Sequence, residues 1–155
     1  MTRFVLDCSV TMAWCFDDEA TCYTDGVRDA LVGARAVVPS LWPLEVANLL
    51  LVAERRHRLE KTDTARFLAL LRALPITVDQ GTSQIAFREI LDFAREQELS
   101  SYDAAYLELA LREGLCLATL DDQLKDAAAR VGVPLMEVPQ PRAGRAQSAE
   151  QGPDE

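Results

Sequence analysis

The chain has 155 residues, 49% hydrophobic and 26% charged, which suits one domain with its own core and leaves little room for a second. Its formal net charge of -9 excludes a protein that coats nucleic acid through clustered positive charge, while leaving open an enzyme acting on nucleic acid and a basic partner. The longest apolar stretch, 41–53, is interrupted by Pro43, Glu45 and Asn48 and falls short of a span of roughly 20 apolar residues, and the apolar run at 4–6 is too short for a signal peptide, so a cytoplasmic protein is expected.

In chain order, residues 4–6 and 36–38 read as strands. A helix follows Pro43, with Val46, Leu49, Leu50 and Ala53 at helical spacing. Phe67, Leu70, Leu71 and Leu74 mark a second helix, and residues 76–78 a third strand. Ile85, Ile90 and Phe93 recur more loosely. Residues 102–113 form a strong helix, capped by Ser100 or Ser101 and stopped by Gly114. A strand at 115–118 leads to a helix at 122–130, ended by Gly132 and Pro134, and then to a fifth strand at 135–138. These apolar runs are continuous rather than alternating, as in strands buried on both faces of a parallel sheet.

Strands alternating with helices imply right-handed βαβ units. The expected fold is therefore α/β: a short, mostly parallel sheet flanked by helices on both faces, in a single domain over 1–138. From Pro139 onward no bulky apolar residue occurs, which predicts a flexible tail over 139–155. No internal repeat is visible. Trp14 and Trp42 are expected in the core. Cys8, Cys15, Cys22 and Cys116 form no Cys-x-x-Cys pair, which argues against zinc and for small buried hydrophobes. The regular spacing of the first three predicts a common helical face.

Open α/β sheets bind ligands beyond the carboxyl ends of their strands. Asp7 follows the first strand, Asp79 the third and Asp121 the fourth; Asp103 and Glu45 lie in first helical turns. Glu45 is the only charged residue between Arg35 and Glu54, and shares a face with Asn48. Two readings stand level for it: a carboxylate that needs a cation or donor, or an acid favoured by the helix macrodipole. Asp103 has the same ordinary explanation, and Asp79, beside Gly81 and Thr82, reads as a turn residue. Asp122 is the natural cap of the following helix, freeing Asp121 to point elsewhere, with Asp122 the fallback for its role and Asp126 nearby. Carboxylates gathered at one sheet edge repel unless a cation joins them, and hard oxygen donors suit Mg2+ or Mn2+. Such ions promote phosphodiester hydrolysis. The single histidine, His57, lies in the basic run Arg55-Arg56-His57-Arg58, so a His-based triad is set aside. That run, with Lys61 and Arg66, is a candidate for holding an RNA backbone or, slightly preferred, a solvated helix end.

Asp7-Cys8-Ser9, Glu45 with Asn48, Ser101-Tyr102-Asp103-Ala104-Ala105-Tyr106-Leu107 and Thr119-Leu120-Asp121 together resemble the PIN-domain ribonucleases, most closely the VapC-type toxins of bacterial toxin–antitoxin pairs, over residues 3–138. The resemblance implies that Asp7, Asp103 and Asp121 hold Mg2+ or Mn2+. It implies that Glu45 completes the pocket as ligand or base, that Ser9 and Thr119 position water or a phosphate oxygen, and that Asn48 supports them. It further implies an RNA substrate, a cognate antitoxin protein that blocks the pocket, and a homodimer.

Two other readings compete. Asp7-Cys8-Ser9-Val10-Thr11 and Asp121-Asp122 faintly resemble haloacid-dehalogenase-type phosphatases, but Ser9 stands where that motif needs a second Asp. A non-catalytic binding module would have no reason to keep four mutually repelling carboxylates.

Overall fold

Four strands pair in the order β3-β2-β1-β4, all parallel, in the computed structural model, which describes residues 1–140. They are β1 (Thr2–Leu6), β2 (Ala34–Pro39), β3 (Ile76–Asp79) and β4 (Cys116–Ala118). Val5 pairs with Val37 on one side and Leu117 on the other. Phe4, Val5 and Leu6 are buried in succession, so apolar cover lies on both faces of the central strand. The α/β class and the parallel sheet are as the apolar runs imply. The strand order adds what periodicity cannot: the chain steps from β1 through β2 to β3, then returns to place β4 on the opposite side of β1. The reversal makes a crevice beyond the carboxyl ends of β1 and β4, the ligand position of such sheets.

The helices are α1 (Cys8–Ala13), α2 (Cys22–Ala30), α3 (Trp42–Arg55), α4 (Lys61–Ala73), α5 (Thr82–Ile85), α6 (Leu91–Gln97), α7 (Ser101–Glu113) and α8 (Asp122–Val131), with a 3-10 turn at Asp17–Glu19. α7 packs on β1, β2 and β4 through a fully apolar inner face that includes Tyr106, Leu107, Leu109 and Ala110. Ser100, not Ser101, caps it, accepting from the Asp103 N–H at 3.1 Å, and Gly114 ends it at φ 64. The loosely spaced segment around Ile85 and Ile90 is a broken helix: a π turn at Ala86–Ile90 joins α5 to α6. Its i to i+5 geometry matches the separation of those two isoleucines and seats Ile90 against Ala104 and Ala105. Trp14 and Trp42 are both buried, as expected.

Two expectations are corrected. Residues 135–138 form no strand; only Leu135 bridges to Leu117. Leu117 donates to Pro134 O at 3.0 Å and Met136 donates back to Leu117 O at 2.8 Å, but the Met136 carbonyl then accepts from the Tyr23 hydroxyl of α2 at 2.9 Å. The pairing ends there, where the three-residue β4 itself ends and the Met136 carbonyl turns to α2. The first three cysteines share no helical face: Cys8 opens α1 and is buried, Cys15 lies beyond α1 and is half-buried, and Cys22 opens α2 and is exposed. Of the proposed tail over 139–155, residues 141–155 lie outside the described residues.

Val138 closes over α2 at Gly26, where an added Cβ would stand 2.9 Å from the valine Cβ. Gly26→Ala is therefore expected to cost about 1–3 kcal/mol by overpacking. Chemical denaturation should show that cost shrinking when Val138→Ala is added, because the two changes share one contact.

Candidate active site

Asp7 ends β1 and occupies the N-cap position of α1, yet its carboxylate does not cap that helix. It is 5% exposed, and a buried carboxylate keeps its charge only with donors or a cation nearby. Two hydroxyls supply the donors: Ser9 Oγ at 2.5 Å and Thr119 Oγ1 at 2.8 Å, both to Asp7 Oδ2. Each hydroxyl in turn accepts from the loop after β4. Leu120 N–H donates to Ser9 Oγ at 3.0 Å, and Asp121 N–H donates to Thr119 Oγ1 at 3.1 Å. Two backbone amides are thus relayed through two hydroxyls onto one oxygen, an arrangement in which each bond polarises the next. Asp7 N–H also donates to Ala118 O at 2.9 Å, closing β1 against β4.

Asp121 is the N-cap of α8, its Oδ1 accepting from the Leu124 N–H at 3.0 Å. This corrects the expectation that Asp122 would take the cap: Asp122 is the first residue inside the helix and its side chain is 94% exposed. The cap still leaves Asp121 Oδ2 without a side-chain donor among the described residues. Asp103, in the first turn of α7, and Glu45, in the first turn of α3, lie on the two helices that the Tyr106–Glu45 hydrogen bond joins beside this crevice, and the Asp7 charge acts on both. Glu45 Oε1 accepts from the Tyr106 hydroxyl at 2.6 Å.

Burial raises the Asp7 carboxyl above its usual range, against the pull of the Ser9 and Thr119 hydroxyls, with the Asp121 charge adding to the rise. Burial likewise raises Glu45, opposed by Tyr106 and reinforced by Asp7 and Asp103. Asp103 is pushed up to about 6 by burial and by the charges of Asp121 and Asp7. Among the described residues none of the four carboxylates forms an ion pair with Lys, Arg or His. No three of them, again among the described residues, converge closely enough to enclose an ion as they stand. The set is therefore an open ring of oxygen donors under mutual repulsion, and its chemistry suits a hard divalent cation rather than zinc.

Residues 4–130 match the PIN domain family. The chain belongs to that family. Curated protein sequences yield no match. Among solved structures, PAE2754 from Pyrobaculum aerophilum superposes with a TM-score of 0.61 at 24% identity, over 81% of this chain and 79% of that one. VapBC2 from Rickettsia felis, bound to a DNA fragment from their promoter, superposes with a TM-score of 0.56 at 10% identity, over 87% and 98%. Both likenesses are of fold.

Not every residue singled out in the sequence reaches this PIN-domain crevice. Asn48 is exposed, and with Leu41, Leu44, Glu45, Leu49 and Tyr102 it lines a groove of about 430 Å³ beside the ring. Arg55 lies ten residues beyond Glu45 on α3, about 15 Å along the axis at 1.5 Å per residue. Arg56 follows as the C-cap. Arg58 is engaged elsewhere: it pairs with Asp18 and Glu19 and lies 4.0 Å over the Phe16 ring. Asp79 pairs with Arg112 at 2.8 Å and accepts from the Gly81 N–H, the local role expected of it. Sequence reasoning passed over Tyr106 and the Trp42–Thr11 pair. Trp42 Nε1 donates to Thr11 Oγ1 at 3.0 Å, and Thr11 Oγ1 donates to the Asp7 carbonyl at 3.4 Å, tying α3 to the start of α1. Tyr106 stands in the Ser101–Leu107 motif that carries the family resemblance, three residues after Asp103 on the same helical face, yet that motif alone gives it no role.

The Asp103 shift fixes a pH dependence. A carboxyl whose folded pKa exceeds its unfolded value holds its proton more tightly when folded. Its favourable contribution is complete below pH 3.8, the ordinary value, and is lost as pH rises through about 6. In divalent-free buffer, Asp103→Asn should therefore raise the melting temperature relative to wild type more at pH 7.5 than at pH 4.5. Calorimetry at the two pH values checks this; an equal difference at both would show that Asp103 is not held above its ordinary range.

Proposed function

We propose that this PIN domain is a metal-dependent endoribonuclease that hydrolyses RNA phosphodiester bonds and acts as the toxin of a toxin–antitoxin pair. The observation that carries this reading is that Asp7, Glu45, Asp103 and Asp121 lie about the β1–β4 crevice close enough for their charges to act among them, with no Lys, Arg or His paired to any of them among the described residues. Asp7, Asp103 and Asp121 would hold Mg2+ or Mn2+. Such an ion, when bound, supplies water activation and stabilisation of the leaving oxygen. The protein's own contribution is orientation and proton handling. Ser9 and Thr119 hold Asp7 in one position, Asp121 is held by its cap bond, and Glu45 takes the proton of the attacking water through Oε2. Asn48, on the groove beside the ring, would contact the RNA strand. Arg55 and Arg56, exposed at the far end of α3, would be cations for an RNA backbone.

A cognate antitoxin is supported by two features. One is the likeness to VapBC2. The other is the groove beside the ring, where Leu44 is 76% and Tyr102 63% exposed, a surface more apolar than a free monomer needs. We further infer a homodimer and a cytoplasmic location. Among the described residues no helix is long and apolar enough to cross a membrane, and the four cysteines are free. The phosphatase reading falls with family membership, and Ser9 donates to Asp7 rather than serving as a second acid. A non-catalytic module is the second reading, favoured by the openness of the ring.

Total RNA incubated with Mg2+ or Mn2+, and with chelator, tests the proposal. Wild type is expected to cleave only with metal. Asp7→Asn and Asp103→Asn should each lose more than about 100-fold, beyond the 10–100-fold typical of residues that only support a ligand. Persistent partner binding without metal-dependent cleavage would establish the second reading instead. Independently, a hundredfold excess of Mn2+ over its Kd should stabilise wild type by about 2.7 kcal/mol and both variants by less.

A further inference from the structure

Tyr106 is 0% exposed, deep in the face that α7 lays on the sheet. Its hydroxyl has one hydrogen-bond partner among the described residues, Glu45 Oε1 of α3 at 2.6 Å. The bond is strong by length and by the charge of its acceptor. It is also enforced from the tyrosine side, because breaking it would leave a buried O–H without an acceptor. Glu45 has the opposite tendency. It is half-buried on a helix edge beside an open groove, and the charges of Asp7 and Asp103 repel it. A glutamate with three free torsions and two anionic neighbours would swing into solvent unless something held it.

We propose that Tyr106 is the positioning residue that holds the Glu45 carboxylate in the acidic ring; this rests on the nuclease reading of that ring. Asp103 and Tyr106 are three residues apart on α7, so one helical face delivers both a ring carboxylate and the clamp for the carboxylate on α3. The bond spans 61 residues of sequence and fixes α3 against α7 at the crevice. It engages Oε1 and leaves Oε2 without a side-chain donor among the described residues, so the clamp orients Glu45 without capping it.

The test is a double-mutant cycle of Tyr106→Phe and Glu45→Gln in the full chain, read by Mn2+ binding in calorimetry and by RNA cleavage. Phenylalanine keeps the ring packed and removes only the hydroxyl. Tyr106→Phe is expected to lower Mn2+ affinity or kcat by about 10–100-fold, as loss of a supporting partner does, while KM stays within about twofold. Adding it to Glu45→Gln should cost little more, since the tyrosine acts through that carboxylate. Unchanged Mn2+ affinity and cleavage in Tyr106→Phe would overturn the role. So would a loss that repeats in full on the Glu45→Gln background, which would mark Tyr106 as structural only. A wild type that neither binds Mn2+ nor cleaves would overturn the nuclease reading and this role together, an outcome distinct from the other two.

Discussion

A carboxylate with almost no exposure at the end of a central strand must find donors or give up its charge. In this chain both donors to Asp7 Oδ2 are hydroxyls, and both hydroxyls are held by backbone amides of the loop after β4. The knot joins the two strands that border the crevice, so the position of Asp7 and the path of the loop carrying Asp121 are set by the same bonds. Ser9 and Thr119 are small because only a short side chain can bridge a strand-end carboxylate to an adjacent loop amide.

Around this knot the rest of the molecule is arranged to hold charge where charge is costly. α3 and α7 each bring one acid in their first turn, where the macrodipole favours it. Each acid is then driven above its ordinary range by burial and by its neighbours. Structural acids in the same chain behave differently: Asp79 and Glu108 share Arg112, and Asp18 and Glu19 share Arg58. Arginines pair with these four acids, whereas among the described residues no Lys, Arg or His pairs with the four at the crevice. That contrast distinguishes the crevice carboxylates from the arginine-paired acids more clearly than the net charge does.

How the elements were legible depends on what each feature answers to. Continuous apolar runs mark β1, β2 and β4 because strands covered on both faces have few polar positions, the edge strand β3 carries such a run with only partial cover, and Ser100 and Gly114 mark α7 because caps are local chemistry. The run at 135–138 is apolar apart from Glu137 but pairs only at Leu135, because the three-residue β4 offers it little edge and its Met136 carbonyl turns to Tyr23. Asp121 and Asp122 are indistinguishable by local rules, and the structure gives the cap to Asp121, whose own N–H is held by Thr119 Oγ1. Arg58 reads as a free cation in sequence and is an engaged one in space, because Phe16 and the Asp17–Glu19 turn fold back on it.

The sequence alone determined the α/β class, the apolar face of α7 and the candidacy of Asp7, Glu45, Asp103 and Asp121, since burial pattern, capping and strand-end placement act over a few residues. Tertiary structure decided the strand order and hence the crevice, which follows from how βαβ units stack rather than from any one of them. It also decided that Ser9 and Thr119 serve Asp7, 112 positions apart in the case of Thr119, and that Glu45 answers to Tyr106. Those bonds join residues with no local relation, and only the packing of the elements brings their atoms within 3 Å.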